Sequence, residues 1–221
     1  MLNPSKPILY LITRGATDET TTPESAEFHQ ILLQVSAAVT AGIQLVQLRE
    51  KKMQPRVLFE LATRAVSLAQ GTATRVLVND RADIAAGAGA DGVHLTTQSL
   101  ETTVVRKAFG DELLIGASTH SLREALRARD GGADFVVFGP IFPSPAKEKY
   151  GPPLGVQALK DVASELRPFP VLALGGISIT NAAECLGAGA SGVAGISLFN
   201  EPESLANVAT VIRESGKGVA S

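Results

Sequence analysis

Apolar positions along this chain fall into two alternating rhythms. Short, mostly apolar runs recur at Pro7–Thr13, Ile43–Leu48, Arg75–Val78, Gly92–Leu95, Leu113–Ala117, Phe135–Phe138, Val171–Leu174 and Gly192–Ser197. Between them, apolar residues return at three- and four-residue spacing, as in Phe28, Ile31, Leu32 and Val35, or Leu58, Leu61 and Ala65. A continuous apolar run bounded by turn residues suits a strand buried on both faces, and the wider spacing suits a helix laid over it. The predicted helices include one ended by Gly42, one over Val57–Ala69, and others over Ala82–Ala88, Leu100–Phe109, Val156–Leu166 and Leu205–Ile212. Thr22-Pro23-Glu24 reads as the first helix start, with Thr22 as N-cap, and Ser121-Leu122-Arg123-Glu124 has the form of a capping box. The tail from Glu214 is expected to fray.

Strand and helix alternate throughout, with no linker-like shift in composition. Parallel strands joined by right-handed crossovers close naturally at eight units, so the expectation is an α/β chain folded as a (β/α)8 TIM barrel, one domain over residues 1–221. An open doubly wound sheet is disfavoured, because no Gly-x-Gly-x-x-Gly turn follows the first strand.

Composition narrows the classes of function. A formal charge of −2 provides no basic stripe, which argues against nucleic acid. No apolar run approaches the about 20 residues of a membrane span, and Met1–Lys6 does not resemble a signal peptide. The single cysteine, Cys185, lies in an Ala-rich helical stretch and reads as a buried structural thiol. The expected setting is the cytoplasm, and a homodimer is left open.

In a barrel the chemistry gathers at the carboxyl ends of the strands. Here those ends are polar. The second run ends in Gln47, Arg49 and Lys51, which alternation puts on one side of an extended segment, and three such donors suit a highly charged anion such as pyrophosphate. A surface salt-bridge cluster with Glu50 is the competing reading. Asp80, after Asn79, either pairs with Arg81 or holds Mg²⁺, and Asp83 reads as a first-turn helix-dipole partner. His94 inside a short apolar run reads as a core histidine. Ser118 and His120 follow the fifth run, where a mobile acid/base could act, and Ser144 and Lys147 lie in a Pro/Gly-rich loop from Gly139 to Gly155 that could close over phosphate. Gly175-Gly176-Ile177, running into the polar, helix-opening segment Ser178–Asn181, and Ile196-Ser197 end neighbouring strands and form a candidate phosphate cup.

The segments Gln47-Leu48-Arg49-Glu50-Lys51, Asn79-Asp80-Arg81, Asp91–Leu95, Gly116–His120, Gly139–Pro143 with Lys147, Gly175–Ile177 and Ile196-Ser197 resemble, in order, the motifs of the thiamin phosphate synthase family. The resemblance implies a (β/α)8 barrel that joins hydroxymethylpyrimidine pyrophosphate to a thiazole phosphate and releases pyrophosphate with Mg²⁺ present. It assigns Gln47, Arg49, Lys51, Asn79, Ser118 and Lys147 to the pyrimidine pyrophosphate, Asp80 to Mg²⁺, and Gly176, Ile196 and Ser197 to the thiazole phosphate. Arg49, Lys51, Ser118, His120 and Lys147 are the side chains expected to serve the reacting groups, and Ser144 joins the binding set.

Departures from the pattern point to alternatives. The second metal-binding Asp of the family is Ser99 here, and the loop has Ser144-Pro145-Ala146-Lys147 where two hydroxyls precede the lysine. Such losses resemble the sister group of TenI-type thiazole tautomerases, in which a histidine at the place of His120 would carry the proton. A non-catalytic protein that binds thiazole phosphate or thiamin phosphate is the third reading. The intact Gln-x-Arg-x-Lys and Asn-Asp segments favour the synthase, since the other two activities do not need them.

Overall fold

A computed structural model describes residues 6–143 and 152–217. Eight parallel strands close into a barrel in chain order: β1 (Ile8–Ile12), β2 (Leu45–Leu48), β3 (Arg75–Asn79), β4 (Gly92–Leu95), β5 (Leu114–Thr119), β6 (Phe135–Phe138), β7 (Val171–Leu174) and β8 (Gly192–Gly195). The last strand returns to the first, with Tyr10 opposite Ala194. Helices follow in step: α1 (Ala26–Thr40), α2 (Pro55–Ala69), α3 (Ala82–Gly87), α4 (Thr102–Phe109), α5 (Leu122–Asp130), α6 (Gly155–Leu166), α7 (Ala182–Gly187) and α8 (Leu205–Lys217).

Strand side chains alternate between two cores. One set, including Ile8, Tyr10, Leu45, Leu77, Phe135, Val137 and Leu172, fills the barrel interior. The other set, including Leu9, Leu11, Val46, Val76 and Val93, packs outward on the helices. The continuous apolar runs in the sequence are therefore strands wetted on neither face. On the helices, Leu58, Leu61, Ala62, Ala65 and Ala69 form the buried stripe of α2, at the spacing of one helical face.

At the amino ends of the strands, side chains tie neighbours together. Asp91 accepts from the Val76 amide at 2.8 Å, Asp134 accepts from the Ile115 amide at 2.7 Å, and Gln44 accepts from the Leu9 amide at 3.1 Å. Arg106 donates to Asp134 at 2.7 Å and to the carbonyls of Gly132 and Leu113 at 2.8 Å each. Asp91 thus serves the frame, although it lies within a segment the family resemblance covers.

Three local expectations shift. Helix α1 begins at Ala26, because the Ser25 hydroxyl accepts from the Thr22 amide at 2.8 Å and folds Thr22–Ser25 into a separate turn. Helix α8 runs through Glu214 to Lys217, and the rest of the tail expected to fray, 218–221, lies outside the described residues. Helix α7 begins only at Ala182, so the Gly175-Gly176 turn leads into a polar loop before any helical turn. Cys185 is buried, and burial pushes its thiol up to about 12, as befits a structural residue.

Candidate active site

The carboxyl ends of the strands carry the polar set, and each is held differently. Gln47 lies inside the barrel, where its Nε2 donates to the Tyr10 hydroxyl at 2.8 Å. Tyr10 packs edge-on to Phe135, with ring centroids 5.6 Å apart, and its burial raises the phenol pKa so that it keeps its proton. The amide of Gln47 is thus locked in the floor of the mouth. Strand β2 ends at Leu48, and Arg49 and Lys51 leave it half-buried and exposed respectively.

Glu50 does not join these cations. Its carboxylate is buried and accepts from the hydroxyls of Thr13 and Thr17 at 2.6 Å each. Among the described residues, Arg49 and Lys51 pair with no carboxylate. The surface salt-bridge reading of this segment fails on that ground.

At the end of β3, Asn79 Nδ2 donates to Asp80 Oδ2 at 2.8 Å, while the buried Asn79 Oδ1 has no partner among the described residues. Asp80 takes φ of 60°, a left-handed conformation that Asp tolerates better than most residues. Arg81 turns to Asp83, donating from Nε at 2.8 Å and Nη2 at 2.6 Å, and that hydrogen bonding holds the Asp83 carboxyl below its ordinary range. Asp80 is therefore free of its neighbouring arginine. It accepts instead from the hydroxyl of Ser99, which also accepts from the Thr96 amide at 2.6 Å. Asp80, Ser99 and the Asn79 carbonyl offer only hard oxygen atoms, the donor chemistry that suits Mg²⁺. Among the described residues no group of three or more His, Cys, Asp and Glu side chains could hold a metal alone.

Strand β5 runs further than its apolar pattern, bringing Ser118 inside the sheet. His94 Nε2 shares a hydrogen bond of 2.9 Å with Ser118 Oγ, and His94 is buried beside Tyr10 and Phe135. Desolvation lowers its pKa to about 4, against a smaller opposing pull from Asp80, so the ring is neutral near pH 7. His94 is a core histidine, as expected, yet it also holds a candidate site residue. Its only sequence signal is its alternation with Val93 and Leu95.

His120 is placed by the capping box that opens α5. Ser121 Oγ accepts from the Glu124 amide at 3.2 Å, and Glu124 Oε2 accepts from the His120 amide at 2.7 Å. The ring Nδ1 meets the carbonyl of Gly139. A carbonyl only accepts, so Nδ1 carries a hydrogen, and the tautomer this contact selects has its lone pair at Nε2.

Across the mouth, β7 and β8 end side by side, with Leu174 opposite Ala194. Gly175 and Gly176 have φ of 98° and 64°, and a Cβ on Gly176 would lie 2.6 Å from the Pro143 carbonyl, so only glycine makes this turn beneath the loop after β6. Asn181 braces it: Nδ2 donates to the Gly176 carbonyl at 2.9 Å and Oδ1 accepts from the Ser178 amide at 2.8 Å. The amides of Gly176, Ile177 and Ser197 donate to no acceptor among the described residues. Ile196 is half-buried, and Ser197 is exposed at the start of a 3-10 turn, Ser197–Phe199. Ser144 and Lys147 lie outside the described residues. A groove of about 400 Å³ lined by Arg14, Thr17, Glu50 and Glu201 opens beside the mouth, while a second, of about 530 Å³, runs along α1 toward Pro202 and Ala206 and reaches no strand end.

The sequence model of the thiamine monophosphate synthase family matches residues 9–199. A thiamine-phosphate synthase of Chlorobium phaeovibrioides is 39% identical over 220 residues, covering 99% of each chain. One from Chlorobium luteolum is 40% identical over 204 residues, covering 92% of this chain and 90% of that one. Among solved structures, a thiamine phosphate pyrophosphorylase from Pyrococcus furiosus superposes with a TM-score of 0.78 at 30% identity, covering 99% of each chain. Matches of this extent run from the first barrel strand past the last. The chain belongs to the thiamine monophosphate synthase family.

Proposed function

We propose that this barrel, acting as one domain over residues 1–221, joins hydroxymethylpyrimidine pyrophosphate to a thiazole phosphate, giving thiamin phosphate and pyrophosphate. One observation carries the reading furthest: Arg49 and Lys51 stand at the end of β2 with no carboxylate paired to them among the described residues, because Glu50 is turned into the loop after β1. Cations left without a carboxylate at a barrel mouth are available to an anionic ligand, and a diphosphate matches their number and charge.

In this reading the diphosphate group sits against Gln47, Arg49, Lys51, Asn79, Ser118 and Lys147. The thiazole phosphate meets the amides of Gly176, Ile177 and Ser197, which donate to no acceptor among the described residues, beside Ile196. Ser144 is the further binding residue of this reading. The bond between the pyrimidine methylene carbon and the diphosphate oxygen breaks, with both electrons leaving on oxygen. The electron-rich aminopyrimidine stabilises the cation that remains. The thiazole nitrogen then supplies the pair for the new carbon–nitrogen bond. The protein holds the two reactants in line and stabilises the departing charge, and no side chain needs to act as nucleophile. Asp80 would hold Mg²⁺, with Ser99 and Asn79 beside it. Such an ion, when bound, adds positive charge next to the leaving diphosphate.

The tautomerase reading draws support from the Nε2 lone pair of His120, oriented by Gly139. It leaves the donors at β2 and β3 without a task, and the matched relatives at 39% and 40% identity are named synthases. The enzyme would work on small phosphorylated substrates in the cytoplasm, and among the described residues no helix is long and apolar enough to cross a membrane. The test is incubation of purified protein with both substrates and Mg²⁺. Mg²⁺-dependent formation of thiamin phosphate is expected. Conversion of a thiazole tautomer without any coupling would transfer the assignment to the tautomerase.

A further inference from the structure

We propose that Glu50 is a positioning residue for the diphosphate end of the site, acting through the loop Thr13–Thr17 to hold Arg49. The proposal rests on the functional reading above. Glu50 is 2% exposed and accepts from four donors on one short loop: the Thr13 hydroxyl, the Gly15 amide at 3.3 Å, the Thr17 hydroxyl and the Thr17 amide at 3.4 Å. No cation neutralises it among the described residues. A carboxylate buried without a counter-ion is tolerated only when hydrogen bonds replace its water, and four do so here.

The loop it gathers is wrapped around Arg49. The Arg49 amide donates to Thr13 Oγ1 at 2.8 Å, so one hydroxyl accepts from Arg49 and donates to Glu50. Gly15, at φ of 72°, comes so near that a Cβ there would lie 2.9 Å from the Arg49 carbonyl oxygen and 3.2 Å from its Nη1. Backbone and guanidinium of Arg49 are thus both packed against a segment that Glu50 ties down.

The charge has a reason. A carboxylate accepts and never donates, so both threonine hydroxyls must turn their protons toward it. That leaves a lone pair of Thr13 Oγ1 facing the Arg49 amide. An amide side chain at position 50 would present one donor end, and one of the four partners would have to turn away. The loop would then loosen over the guanidinium that meets the diphosphate.

The test compares Thr17→Val, Thr17→Ser and Glu50→Gln with the unmodified protein. Binding of inorganic pyrophosphate is measured by calorimetry, both Michaelis constants by assay, and the melting temperature alongside. Thr17→Val is nearly isosteric and removes one hydroxyl donor, so it keeps the test open if Glu50→Gln does not fold. Loss of one charge-assisted hydrogen bond should weaken pyrophosphate binding, and raise KM for the pyrimidine diphosphate, by about tenfold in Thr17→Val and Glu50→Gln. KM for the thiazole phosphate should stay within about twofold, and Thr17→Ser should match the unmodified protein. Equal changes in both Michaelis constants, or pyrophosphate binding in Thr17→Val equal to that in Thr17→Ser, would overturn the positioning role alone. An unmodified protein that neither binds pyrophosphate nor makes product would overturn the functional reading, and this role with it.

Discussion

The Ser99 hydroxyl donates a hydrogen bond to Asp80 across the gap between the ends of β3 and β4. The same oxygen accepts from the Thr96 amide, so Ser99 joins the loop after β4 to the one carboxylate expected to face Mg²⁺. Replacing Ser99 by Asp sets a second carboxylate against the first. Without metal the pair repels, and with Mg²⁺ both oxygens bind. Ser99→Asp should lower the Mg²⁺ concentration for half-maximal synthase activity and make the melting temperature rise more on adding Mg²⁺. A Mg²⁺ titration of both proteins, followed by activity and by melting, decides it. An unchanged requirement would mean that position 99 does not face the metal.

His94 should make stability depend on pH in a defined window. Its pKa is about 4 in the folded chain against 6.5 ordinarily. As pH falls from 6.5 toward 4, the unfolded chain binds a proton that the folded one refuses, so stability declines by roughly 3 kcal/mol over the window. His94→Gln removes that slope, though it weakens the bond to Ser118 at every pH. Urea midpoints at pH 7 and pH 4.5 should differ less in the variant than in the unmodified protein. Parallel acid slopes in the two would refute it.

His120 separates the two enzymatic readings. As the base of a tautomerase it would contribute roughly 10²–10⁴-fold. In the synthase no proton transfer limits departure of the diphosphate, so His120→Asn should lower kcat by less than about tenfold. A loss of a thousandfold in thiamin phosphate formation would assign His120 a proton-transfer step in that reaction.

Asn181 should matter to one substrate only. Its two hydrogen bonds brace the turn whose amides are expected to meet the thiazole phosphate. Asn181→Ala should raise KM for the thiazole phosphate about fivefold, the worth of a single net hydrogen bond. KM for the pyrimidine diphosphate should not move. Michaelis constants measured with each substrate varied in turn give the answer, and a joint rise would point to general loosening of the fold.

The barrel was legible because its strands are apolar on both faces, a signal that needs no tertiary information. Most of the candidate site was legible for a related reason: Gln47, Asn79 and Ser118 are polar residues where such runs end. Glu50 was not. Flanked by Arg49 and Lys51, it reads as a surface ion-pair partner, and only folding the Thr13–Thr17 loop against it, 33 or more positions away, shows its donors. Asn181 escaped for the opposite reason. The glycine pair reads as leading straight into a helix, but a side-chain-braced loop intervenes, and bracing of that kind leaves no periodicity. Ser118 marks the end of an apolar run in sequence, while the strand continues to Thr119, since backbone pairing with β6 persists after the hydrophobic pattern stops.

The ties beneath the barrel guard the chemistry above it. Side chains alternate along every strand, so a slip of one residue between β3 and β4 would turn Asn79 outward and bring Val78 to the mouth. The bond from the Val76 amide to Asp91 forbids that slip, as Asp134 does for Ile115 on β5. Because these side-chain ties fix alignment from below, the side chains at the rims are relieved of that task. There, backbone bonds such as that from the Asp80 amide to the His94 carbonyl hold register. Rim residues are free to change, as at Ser99, without the sheet losing count.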